Sequence, residues 1–199
     1  MNTARDLAIV ALDAAPDRPV EQGDLSLTLA AAEIFDLIEA KALVLDGDRI
    51  LPNAQAPTGD RLLDEAAAAL SREQPYESVE DWLWRRGRGL ASAYVDDLER
   101  VGLTTRQRGR RLPLKTWRTE LVDSPARRRA QERWAEHEPV LAALAATAGV
   151  RDEPAEQEFD DDAVTTVLAV AGDAVMELEA VRQRKQIEDA AFDNVWRGY

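Results

Sequence analysis

The sequence predicts a mainly α-helical fold, a single compact domain over residues 1–199 that carries two small β-hairpins. Three observations lead there. Alanine and leucine dominate a chain of 199 residues that is 45% hydrophobic, with glutamate and arginine plentiful, and all four are strong helix formers. Apolar residues recur near the helical period over most of the length. β-branched residues are gathered into short runs, and two of these flank glycine turns.

In chain order, Ala4 to Ala14 reads as a short helix with Leu7, Ile9, Val10 and Leu12 apolar, stopped by the Pro16 to Pro19 segment. Asp24 stands where a cap is expected, before a helix over Leu25 to Ala40 with Leu27, Leu29, Ile34, Leu37 and Ile38 inward. Leu43 to Leu51, turned by Asp46-Gly47-Asp48, is the first hairpin. Pro52 to Gly59 is a loop, and Asp60 caps a helix over Arg61 to Leu70. Glu80 to Arg86 is helical up to Gly87 and Gly89, and Leu90 to Val101 continues until Gly102. Leu103 to Leu114 is the second hairpin, with Arg111 to Leu114 as its return strand. Asp123 or Ser124 opens a helix with Pro125 at its first position, running to Trp134. Val140 to Ala146 is helical, Arg151 to Asp162 an acidic loop, and the rest one or two helices with Val164, Val167, Leu168, Ala171, Val175, Leu178 and Val181 inward, then Ile187, Ala191 and Val195.

Charge is distributed unevenly. Trp82 to Arg133 holds fourteen basic and six acidic residues, about +8, in a chain of net −13. An anion-binding face follows more readily from that split than an enzyme pocket. Trp82, Trp84, Arg85, Arg86 and Arg88 form one aromatic and guanidinium cluster, since arginine matches phosphate and tryptophan suits a membrane interface. The plainer alternative puts a tryptophan in the core and pairs the arginines with acids. Arg106, Arg108, Arg110 and Arg111 decorate the second hairpin. Arg127, Arg128, Arg129 and Arg133 supply a further patch, in which Arg129 and Arg133 share a helix face.

Catalysis has few parts to work with. There is no cysteine, and the single His137 has no second histidine beside it, so it reads as a surface residue. Asp160, Asp161 and Asp162 read as a helix cap and not as a Mg²⁺ site, and no phosphate-loop or dinucleotide fingerprint is present. The expectation is a protein that is not an enzyme and takes no cofactor or metal. No apolar run approaches 18 residues, so membrane contact is expected to be peripheral, from the cytoplasm.

Glu21 to Leu27, Ala56-Pro57-Thr58-Gly59-Asp60 with Leu62 to Ala66, Ser78 to Leu83, Leu121 to Pro125, Glu177 to Val181 and Ile187 to Asn194 together resemble the bacterial, chiefly actinobacterial, branch of the Golgi phosphoprotein 3 family. The resemblance spans essentially the whole chain. It implies a mainly helical domain that attaches peripherally to membranes by holding the head group of phosphatidylinositol 4-phosphate, as an adaptor for protein cargo. The family's lipid pocket joins a tryptophan and an arginine near the N-terminal helix to basic residues at the start of a later helix. Carried over here, the later pair falls near Arg129 and Arg133, with Arg128 as the neighbouring option, while Glu21 to Ala31 contains neither a tryptophan nor an arginine. The family's self-association hairpin also looks trimmed after Trp134.

The expected function is therefore binding of an anionic phospholipid or phosphoinositide head group through Arg129, Arg133, Arg128, Arg85, Arg86, Arg88 and Trp82, with Arg129 and Arg133 on one face with the Trp82 to Arg88 cluster. A winged-helix-like nucleic-acid binder, with the second hairpin as its wing, is the alternative, disfavoured by the net charge. A protein adaptor without a lipid ligand is a third reading.

Overall fold

A computed structural model of the protein describes residues 2–14, 20–54, 57–108, 117–150 and 159–197, and their side chains except at 106–108, 117–118 and 191–197. Helix α1, Thr3–Asp13, is tied down at its start from two sides. Asn2 accepts from the Arg5 amide, and the Asp36 carboxylate accepts from the amides of Thr3 and Ala4 at 2.7 and 2.9 Å. Asp36 lies near the end of α2, Gln22–Glu39, so that bond holds α1 antiparallel to α2.

Helix α2 is the axis of the fold. Leu27, Leu29, Ala30, Ala31, Ala32, Ile34 and Leu37 are all buried, a pattern that covers the helix nearly all round and marks it as interior. The Ala30 to Ala32 run lets neighbours approach closely. Helices α1, α3, α4, α5, α7 and α8 pack around it. It starts three residues before the expected Leu25, because Asp24 is no cap: its carboxylate pairs with Arg182, and Glu21 occupies the cap position without a side-chain bond.

Strands β1, Leu43–Asp46, and β2, Arg49–Pro52, form the first hairpin in antiparallel register, with Gly47 at φ 58° in the turn. Helix α3, Arg61–Ala68, is capped by Asp60 as expected, and α4, Val79–Arg86, by Ser78. Helix α5, Leu90–Arg100, follows after Gly89 at φ 71°, a left-handed conformation that favours glycine. Strand β3, Thr104–Arg108, pairs with β4, Trp117–Leu121. The second hairpin is present, but its return strand is Trp117–Leu121. The Arg111 to Leu114 segment expected for it lies outside the described residues. Its Pro113 could not donate to a ladder, whereas Trp117, Thr119 and Leu121 recur at the strand period.

Helix α6, Pro125–Ala135, starts at the expected Ser124 cap, which accepts from the Arg127 amide at 3.1 Å. Helix α7, Pro139–Thr147, follows a turn containing His137, which is exposed. The chain ends in α8, Asp162–Arg197, a continuous helix of 36 residues. Its Val167, Ala171 and Ala174 enter a core to which all of α1 to α7 also contribute. A mainly helical architecture with two antiparallel hairpins is what the composition and spacing indicate.

Candidate functional site

The Trp82 to Arg88 cluster separates into four fates. Trp82 is fully buried (0% exposed) and its indole N–H donates to the Ala30 carbonyl at 3.1 Å, 52 residues away, so it is a core residue. Arg85 lies over its ring at 5.1 Å and donates to both Glu77 oxygens at 2.7 Å and to the Ala69 carbonyl. Arg86 turns inward and grips Glu33 through two bonds of 2.7 and 2.8 Å, with a third to the Leu62 carbonyl. Only Arg88 is exposed and without a hydrogen bond or ion pair among the described residues.

Glu33 is wholly buried, and Tyr94 donates its hydroxyl to the same carboxylate at 3.2 Å. Burial pushes the Glu33 carboxyl upward while Arg86 and Tyr94 draw it back, and burial beside Glu33 raises the Tyr94 phenol well above its usual value. The Arg86 to Glu33 pair thus fastens α4 to α2 from inside. It is unavailable to a ligand.

Arg88 stands on the lip of a groove of about 330 Å³, between the N-terminal end of α2, the junction of α4 and α5, and α8. Trp84, Leu27 and Leu178 give it apolar walls, and Gln22 and Ser26 its polar edge. The glycines set its depth. A Cβ at Gly87 would come within 2.6 Å of the Leu83 carbonyl and 3.3 Å of both Leu27 and the Ser26 carbonyl, so only glycine lets the junction lie this close to α2. Ser26 accepts from the Ala91 amide at 3.1 Å, which ties the start of α5 to the same place. Two helix N-termini, those of α2 and α5, therefore open on the groove and add partial positive charge beside Arg88.

The arginines of α6 are committed elsewhere. Arg127 donates to Asp13 at 2.6 Å, and Arg128 to Asp123 at 2.9 Å. Arg133 is buried and bridges Asp6 at 2.6 Å and Glu138 at 2.9 Å. Arg129 is half-exposed, 3.8 Å from Asp6, and lines a cavity of about 610 Å³ with Asn2, Arg5, Asp36, Glu39, Thr58 and Asp60. That cavity is largely satisfied internally, since Asp36 holds the α1 amides and Asp60 accepts from Asn2 and the Leu63 amide and pairs with Arg5.

The expected convergence of the two basic segments is not what the fold builds. Arg88 sits where Gly23 lies and Arg129 where Asp36 lies, thirteen residues apart on α2, or about 20 Å at 1.5 Å per residue. Arg106 and Arg108 are on β3, and Arg110 and Arg111 lie outside the described residues. The groove-lining residue that the sequence underweighted is Trp84: it differs from Trp82 by two positions, hence by about 200° around α4, so if one faces the core the other cannot.

No helix among the described residues is long and apolar enough to cross a membrane, and no cluster of three or more His, Cys, Asp or Glu among them is placed to hold a metal ion. Against models of known families, residues 4–193 match the one described as Golgi phosphoprotein 3 (GPP34). No curated protein matches the chain significantly.

Proposed function

The chain belongs to the Golgi phosphoprotein 3 family, and from that premise we propose that it is a non-enzymatic peripheral membrane protein holding an anionic phospholipid head group in the groove beside Arg88. Phosphatidylinositol 4-phosphate is the family's ligand and the first candidate. The family's pocket pairs the N-terminal helix with basic residues at the start of a later helix. In this fold the helix that starts beside the N-terminal end of α2 is α5, and the basic residue at that start is Arg88. The reading thus shifts the head-group contact from Arg129 and Arg133 to Arg88.

One observation carries it: a guanidinium with no partner among the described residues at the mouth of an apolar groove, in a chain whose net charge is −13. Arginine pairs bidentately with phosphate, the two helix N-termini reinforce it, and Trp84 and Leu178 suit the glycerol and upper acyl region of a lipid. The overall negative charge opposes any other approach to an anionic leaflet, and Glu21 at the α2 cap, next to Gln22 on the groove edge, weakens the hold on phosphate. Binding is therefore oriented, weak and sensitive to salt, consistent with a bacterial protein of the cytoplasm that attaches to the inner membrane face and there serves as an adaptor.

Cosedimentation with phosphatidylcholine vesicles carrying phosphatidylinositol 4-phosphate, phosphatidylinositol or phosphatidylglycerol tests this. Binding at low salt that falls at high salt, and that Arg88→Glu removes, is the expected result. Absence of binding to every anionic vesicle at low salt rejects it. A parallel titration with duplex DNA addresses the wing reading, which requires salt-dependent duplex binding.

A further inference from the structure

Helix α8 uses one side for its own domain. Val167, Ala171 and Ala174 are buried and Leu178 partly so, at spacings of four, three and four, and these residues meet α2, α4 and α7. A second stripe runs along the opposite side. Met176, Ala180, Gln183, Ile187 and Ala190 recur at four, three, four and three, and all five are exposed. Ile187 at 69% and Met176 at 62% are the most exposed of the large described hydrophobics. From Gln183 through Ala190 every side chain faces solvent. An alternation of three and four is the seam of a two-stranded coiled coil.

On one flank of that seam Glu179 accepts from Gln183, while on the other, two charges lack partners among the described residues. Glu177 and Arg184 stand on the same flank, and neither has an ion pair or hydrogen bond among the described residues, although most arginines nearby in the fold are paired. We propose that this face of α8 pairs antiparallel with the same face of a second copy of the chain, about a two-fold axis between Val181 and Arg182. That register sets Met176 against Ile187 of the second copy and Ala180 against Gln183 of the second copy. It also brings Arg184 of each chain to Glu177 of the other, twice by symmetry. The in-register parallel arrangement would instead set Asp173 against Asp173 within the seam, so like charges oppose it. Because the domain packs on the far side of α8, the second copy approaches from solvent and the contact closes at two. The pairing does not depend on lipid.

Sedimentation velocity of the full chain over roughly 1–500 µM, without lipid, is the test. The wild type is expected to pass from monomer to dimer in that range. Ile187→Glu should weaken association at least tenfold, as should Arg184→Glu or Glu177→Arg alone, while the double charge swap restores it. Since the chain contains no cysteine, Met176→Cys and Ile187→Cys proteins can be oxidised separately and mixed. A disulfide that forms on mixing and not in either protein alone supports the antiparallel register. A wild type that stays monomeric, a dimer that survives Ile187→Glu, or a disulfide in Met176→Cys alone overturns the proposal.

Discussion

The end of α4 and helix α6 are two arginine-rich stretches of the molecule, and they differ in what surrounds them. On α6, Arg127, Arg128 and Arg133 each sit on a carboxylate within 3 Å, and Arg129 stands near one. At the α4–α5 junction, Arg85 and Arg86 are also paired, but Arg88 is carried past the helix end by Gly87 and Gly89 to a place where no described acid pairs with it. Counting charges along the chain treats the two stretches alike. The field at a surface depends on where the opposing charge lies, and here acids from distant sequence neutralise one stretch and leave a single cation in the other.

The contrast can be broken most forcefully at the buried pair. Arg86→Ala removes the charged partner of the buried Glu33, leaving only the Tyr94 hydroxyl on that carboxyl, and should cost about 3–5 kcal/mol in chemical denaturation. A loss as small as that of an exposed substitution would mean the pair is solvated and the two stretches are alike.

Next in size is a pH effect at the other end of α2. Burial raises the Asp36 carboxyl from its ordinary 3.8 to about 6, despite the two amides of α1 that it accepts. A folded value above the unfolded one means the folded state binds the proton more tightly. The associated stability is present below about pH 4 and lost as pH rises to about 6, an amount of about 3 kcal/mol. Glu33 shifts in the same direction, so the measurement is the difference between the wild type and Asp36→Asn across pH 4 to 7. A difference that stays flat over this range would show that Asp36 is solvated.

Arg88→Glu should lower affinity for anionic vesicles at least tenfold, equivalent to about 1.4 kcal/mol, and leave stability within about 0.5 kcal/mol. Arg128→Glu on α6 is the matched control. It should change neither vesicle binding beyond about twofold nor stability by more than about 0.5 kcal/mol, because its pairing with Asp123 is solvent-exposed. Equal losses for the two variants would erase the distinction between the stretches and return the anion site to a diffuse basic surface.

Much of the fold could be read from local chemistry. Asp60 and Ser124 before Pro125 cap helices where their side chains and the following apolar period require it. The Asp46-Gly47-Asp48 turn fixes the first hairpin. The site was less legible, because its character is set by pairings that no local window contains. Arg86 meets Glu33 across 53 residues, Arg127 meets Asp13 across 114 and Arg133 meets Asp6 across 127. Trp82 and Trp84 look equivalent in sequence, and only the direction of α4 against α2 separates a core indole from a groove wall. Arg88 was among the expected binding residues, yet its distinction from Arg85 and Arg86 depends on Glu77 and Glu33 reaching those two and not the third.

The placement of α2 has a consequence for how the protein is made. Gly23 lies against Leu178, so one side of the most buried helix waits for a segment translated about 155 residues later. At about 5–20 residues per second, α2 spends roughly 8–30 s outside the ribosome before α8 can cover it. Through that interval its alanine and leucine surfaces are available to chaperones and to neighbouring nascent chains, and truncation before α8 leaves them so permanently. Vectorial synthesis thus supplies the axis of the core early and its last wall late.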